Sequence, residues 1–111
     1  MADNKYVEVF LDRPRRLVFR HKDLRDAVNT SKRSIGDLIG DPFGGWPVLL
    51  QHGLRHKDTT LSLDDCSEMI ERWVQAGQPL KDLSDKVIRA LENTGFIKIE
   101  RPEDETTADP T

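Results

Sequence analysis

Cysteine is almost missing from this 111-residue chain: Cys66 stands alone. One thiol cannot close an internal disulfide, and no paired-cysteine spacing exists to open a zinc site. That usage fits a reducing compartment. Long apolar runs are missing too, and none nears the ~20 residues a membrane helix needs. The opening stretch MADNKYVEVF has no apolar core behind a basic start, so no secretory signal is expected. Nucleotide-binding glycine patterns are also lacking. IGDLIGDPFGG matches neither G-x-G-x-x-G nor a P-loop, and no Lys-Ser/Thr follows it. These absences point away from a membrane protein, a disulfide scaffold and a nucleotide-dependent enzyme.

What is present is charge, unevenly placed. Charged residues make up 33% of the chain against 36% hydrophobic, so one domain with a modest core is expected. Its range is 1–99. Between Arg13 and Arg33 stand eight Lys/Arg against Asp23 and Asp26, although the net charge of the chain is −3. The last stretch, 100–111, carries five acids against one base and is expected to be a disordered acidic tail.

Local pattern predicts a mainly α fold (α+β), an N-terminal β-hairpin followed by four to five short helices. YVEVFL (6–11) and RLVFR (16–20) are rich in β-branched and aromatic residues, with DRPR between them and Pro14 at the bend. Val7, Val9 and Leu11 share one face, and Leu17 and Phe19 share another. A helix is expected over 22–30, on Leu24, Ala27 and Val28. A short one follows, capped by Ser34 or Ser31, carrying Ile35, Leu38 and Ile39 and stopped by Gly40. Pro47 suits the first turn of a third helix, to about His56. Ser62 and Asp65 form a capping box for the fourth, with Leu61 and Cys66 as its hydrophobic staple. Cys66, Met69, Ile70, Trp73 and Val74 make one apolar stripe, and Gly77 ends it. A last helix spans 81–93, with Leu83, Val87, Ile88, Ala90 and Leu91 inward and Gly95 as the stop. Phe96, Ile97 and Ile99 add one more packed or extended segment.

Candidate chemistry is thin. His52 and His56 lie four apart, a two-ligand spacing for zinc, but no Glu stands beside His52, and only Cys66 and His21 are left as soft ligands. Two exposed histidines near a helix C-terminus account for the pattern. Cys66 falls inside an apolar stripe and reads as a packed, inert thiol. Asp64 and Asp65 read as first-turn acids. No catalytic, cofactor or metal residue is assigned, and no enzyme is expected. The residues singled out for partner binding are Phe43 and Trp46, in a Gly-rich loop, with Lys32 and Arg33. Large aromatics in loops often anchor partners, though such residues also cap cores. A second reading takes 22–40 as helix–turn–helix, with Ser31, Lys32, Arg33 and Ser34 opening a DNA-reading helix. The acidic chain as a whole disfavours nucleic acid.

The order of these features carries a resemblance. VEVFLDRPRRLVF leads into HKDLRDAVNTSKRSIGDLI, then VLLQHGLRHKD, LSLDDCSEMIERWVQAG and LSDKVIRALENTGF. This is similar to the tail assembly chaperones of long-tailed (siphovirus-type) bacteriophages and gene-transfer particles, over about 7–97. The matching pieces are Lys32, Arg33, Ser34 and Ile35, then Leu49, Leu50, Gly53 and Leu54, then Leu61 to Asp65. Where that family often has an acidic residue and Gly before its Lys-Ser turn, this chain has Asn29, Thr30 and Ser31. The resemblance implies a non-enzymatic protein of the bacterial host cytoplasm. It would coat the long helical tape measure protein, help recruit tail-tube subunits, and be absent from the mature virion. Self-association stays open, as does a role as a structural head–tail or tail component.

Overall fold

A computed structural model of the chain describes residues 6–95. It has the expected architecture, an antiparallel hairpin followed by five helices. The expectations for Phe96–Ile99 and for the acidic tail lie outside the described residues.

The hairpin pairs β1 (Val7–Phe10) with β2 (Pro14–Leu17) in the register Val7 to Leu17 and Phe10 to Pro14. Alternation buries Val7 and Val9 and turns Glu8 and Phe10 outward. The second strand therefore starts earlier than its apolar residues suggest. Pro14 is not at the bend but opens the strand, where its missing N–H costs no ladder bond. The turn closes over Leu11–Arg13. Arg15 braces it by donating to both oxygens of Asp12, at 2.7 and 2.9 Å. Val18 to Arg20 leave the sheet, and the Val18 N–H donates to Gly53 O at 3.0 Å. Leu11, Leu17 and Phe19 join Val7 and Val9 in one core rather than dividing between faces.

Five helices follow: α1 (His21–Ser31), α2 (Ile35–Ile39), α3 (Trp46–Leu54), α4 (Leu63–Gln75) and α5 (Leu80–Glu92). Their ends obey local chemistry. Ser34, not Ser31, caps α2 by accepting the Asp37 N–H at 3.1 Å. Ser31 instead donates to Ala27 O at 2.7 Å, closing α1. Ser62 and Asp65 form the reciprocal box that starts α4, at 3.0 and 2.9 Å. Gly77, at φ 83°, ends α4 in a Schellman turn: the Gln78 N–H reaches Trp73 O and the Gly77 N–H reaches Val74 O. Trp73 then donates its ring N–H to Pro79 O at 2.8 Å, tying the turn to the start of α5.

Helix α3 is the hub. Apart from the half-buried Gln51, every residue from Trp46 to Leu54 is buried. It packs against α1, α2, α4 and β2, while α5 covers β1. A helix that is apolar all round needs neighbours on every side. Two of them come so close that only glycine fits. A Cβ on Gly45 would collide with the backbone of Leu38, and one on Gly53 would sit 2.5 Å from Leu17 Cδ1 and 2.8 Å from Phe19 Cζ. Cys66 is fully buried in the same core, and burial pushes its thiol up to about 12. The α4 stripe runs as expected through Cys66, Met69 and Trp73, but Val74 departs from it and is half exposed.

Gly53→Ala should lower stability by about 1–3 kcal/mol, because the buried Leu17 and Phe19 side chains must shift off α3. A shift of the urea midpoint at unchanged slope would measure it. An unaltered midpoint would mean that the hairpin yields freely.

Candidate partner-binding groove

The loop between α2 and α3 is organised by one carboxylate. Asp41 accepts the N–H of Phe43 and of Gly44 at Oδ1, at 3.2 and 3.1 Å, and the Arg33 guanidinium at Oδ2, at 3.0 Å. Its backbone carbonyl accepts the N–H groups of Gly45 and Trp46. The Gly44 N–H, then the guanidinium of Arg33, hold this carboxyl below the usual carboxylate range. Arg33 also donates to Asp37 O at 3.2 Å. The result is a fixed turn that aims the Phe43 ring into solvent, 87% exposed.

Phe43 borders an open groove of about 600 Å³. Pro42 and Phe43 form one lip, Pro47 of α3 the floor, Ile70 and Val74 of α4 a wall, and Leu80 of α5 the far end. Glu71 supplies a carboxylate on the wall. The exposure of Val74 belongs here, since it faces this groove. Large apolar side chains lining an open hollow are the ordinary material of a protein-binding site.

The other residues singled out from the sequence are placed differently. Trp46 is buried and donates its ring N–H to Ile39 O at 2.7 Å, so it locks α2 onto α3 and offers no surface. Arg33 is spent on the loop. Lys32 is exposed but sits at φ 61°, the left-handed end of α1, with its N–H on Val28 O at 2.8 Å. Phe43 alone of the four stands in the groove. Val74 was read as a core residue because its helical spacing is that of a core position, and Leu80 was left in the linker before α5, which it opens. Only the bulk of Phe43 in a Gly-rich loop was legible beforehand.

A helix reading DNA would have to be α2. It spans five residues, buries Leu38 and presents the acidic Asp37 outward. Nor are His52 and His56 two exposed neighbours. His52 is buried with Nδ1 2.9 Å from Val48 O, and the buried Nδ1 of His56 has no partner. Among the described residues no three His, Cys, Asp or Glu side chains converge to hold a metal.

At the other end of α3 lies an ionic clasp that sequence reading passed over. Asp23 is fully buried at the start of α1. It accepts the Arg20 N–H at 2.9 Å, the Arg20 guanidinium at 2.8 and 3.1 Å, and Arg55 Nε at 2.6 Å. Arg55, just past α3, also donates to Asp26 at 2.7 Å. Burial works against the Asp23 charge, but the bonds from Arg20 and Arg55 outweigh it and hold the carboxyl below its usual range. His56 is pushed down by burial and by the nearby Arg20. No family model, curated protein or solved structure matches this chain.

Two outcomes follow for stability. Lys32→Gly should raise it by about 1 kcal/mol, since a side chain at positive φ is strained, and a higher urea midpoint would register this. Acid should act in two stages. The unfolded chain protonates His56 more readily than the fold does, so its contribution is full above pH ~6.5 and declines below it. The Asp23 contribution is full above pH ~4 and declines as the carboxyl is protonated below that. Urea midpoints between pH 7 and 5 should fall in the native chain and flatten in His56→Gln. A slope identical in both would assign the first stage to another group.

Proposed function

We propose that this chain is a tail assembly chaperone of a long-tailed bacteriophage or gene-transfer particle, holding the tape measure protein before the tail tube closes around it. The observation that carries the reading is Phe43, almost fully exposed on a rigid turn above an apolar groove. The resemblance over about 7–97 supplies the partner's identity, and the groove supplies a physical means of holding it. An amphipathic helix docks by laying apolar residues one turn apart into such a hollow. The α4 wall, from Ser67 to Gln75, is about 12 Å long at 1.5 Å per residue, or some two turns of a bound helix.

One such contact is small and individually weak. Weakness suits the task, because a holder that must yield to polymerising tube subunits cannot bind irreversibly. Many copies along one long partner would still keep it covered, since each bound copy removes apolar surface from water. Nothing in this action requires a nucleophile, which agrees with the buried, proton-retaining thiol of Cys66.

The test is co-expression with a tape measure fragment from the same genome. The native chain should keep the fragment soluble, and Phe43→Ser with Val74→Ser should lose at least tenfold of that soluble yield. Both side chains are exposed, so the double variant should unfold at the same temperature as the native chain. Purified particles should lack the protein. A native chain that leaves every fragment insoluble, or its presence in mature particles, would overturn the reading.

A further inference from the structure

A second hollow lies between the hairpin turn and the end of α3, about 320 Å³, and its walls are cationic. Arg13, Arg15, Arg16 and Lys57 line it against one carboxylate, Asp58. The charges are not balanced from within. Arg15 is committed to Asp12, and it stands 3.6 Å from Asp58. Asp58 accepts both the N–H and the hydroxyl of Thr60, and its approach to Arg13 is a loose 3.8 Å. The guanidinium of Arg16 lies over the Tyr6 ring, 4.6 Å from its centre, which positions the charge without neutralising it. Glu8 stands opposite Arg16 in the sheet register, yet the two make no ion pair. Among the described residues no carboxylate pairs with Arg16 or Lys57.

We propose that this cationic hollow is the docking site of the chain's own acidic segment, residues 100–111. That segment carries Glu100, Glu103, Asp104, Glu105 and Asp109 against Arg101, so its charge complements the walls. Helix α5 packs on β1, and β1 pairs with the strand that bears Arg15 and Arg16. The five residue steps from Gly95 to Glu100 reach up to ~17 Å when extended. Exposed ion pairs are weak one at a time. A tethered segment, however, acts at an effective concentration in the millimolar range, which compensates for weak pairing. Nucleic acid would meet the same cations, but a net charge of −3 opposes it at long range.

The experiment uses the full chain with Thr107→Cys carrying a nitroxide. Cys66 is buried, so the new thiol is the reactive one. Amide signals of Arg13, Arg15, Arg16, Leu17 and Lys57 should broaden at least twofold at low salt relative to the reduced label. The broadening should vanish in 1 M NaCl, where screening is complete within about 3 Å, and in the Arg16→Glu, Lys57→Glu variant. Absent or evenly spread broadening would overturn the proposal, as would broadening centred on Phe43 and Val74. Broadening seen only between a labelled and an unlabelled molecule would assign the contact to a second copy and overturn it as stated. So would salt-sensitive binding of a DNA duplex at these cations with no contact from the segment.

Discussion

The burial of α3 on every side is the constraint on which the rest of the molecule depends. Its apolar surface has no solvent face to lose, so α1, α2, α4 and the hairpin must each find a seat around nine residues. That crowding explains the two glycines at its ends. Gly45 lets the α2 backbone approach, and Gly53 admits Leu17 and Phe19. It also explains why a charged residue is tolerated at the edge of the core. Arg55 emerges where α3 ends, and Asp23 and Asp26 meet it with hydrogen bonds rather than with apolar packing. A buried carboxylate left without such donors would cost several kcal/mol.

Seating α2 against α3 has a functional corollary. The two helices are joined by a turn too short to carry its own core, and Asp41 organises it by hydrogen bonds alone. A turn held in this way can point a large apolar side chain outward without collapsing onto it. Phe43 is thus held in place by polar groups, while the groove beneath it forms where α4 and the start of α5 meet the first turn of α3.

Much of this was readable in the residues, and the failures have physical causes. Helix boundaries were legible because capping boxes and glycine stops act within a few residues, as at Ser62, Asp65 and Gly77. The hairpin was legible as an element but not in register, because Asp12 and Arg15 set the turn and local apolar content does not report them. Asp23 looked like one more charge on a basic segment, since its partner Arg55 is 32 residues away. His52 looked exposed because polarity was taken as a surface mark, yet its ring N–H is served by a carbonyl one turn back. Trp46 and Phe43 looked equivalent in sequence, and only the tertiary contact to Ile39 O separates them. The groove was not legible at all, because it forms only where the stretch 42–47 meets the stretch 67–80 in the fold.

The Asp23–Arg55 pairing also bears on how the chain is made. Every residue that Arg55 binds, and most of what surrounds α3, precedes it in the sequence. On a ribosome the hairpin, α1, α2 and α3 are therefore all available to one another once Arg55 has left the exit tunnel, before α4 or α5 has appeared. Synthesis at ~5–20 residues per second leaves time for local helices and a hairpin to form. The clasp is then a closing bolt for an early half-core. Helices α4 and α5 arrive later as covers, over α3 and over β1 in turn. The groove that they complete cannot exist until Leu80 has followed α4 out.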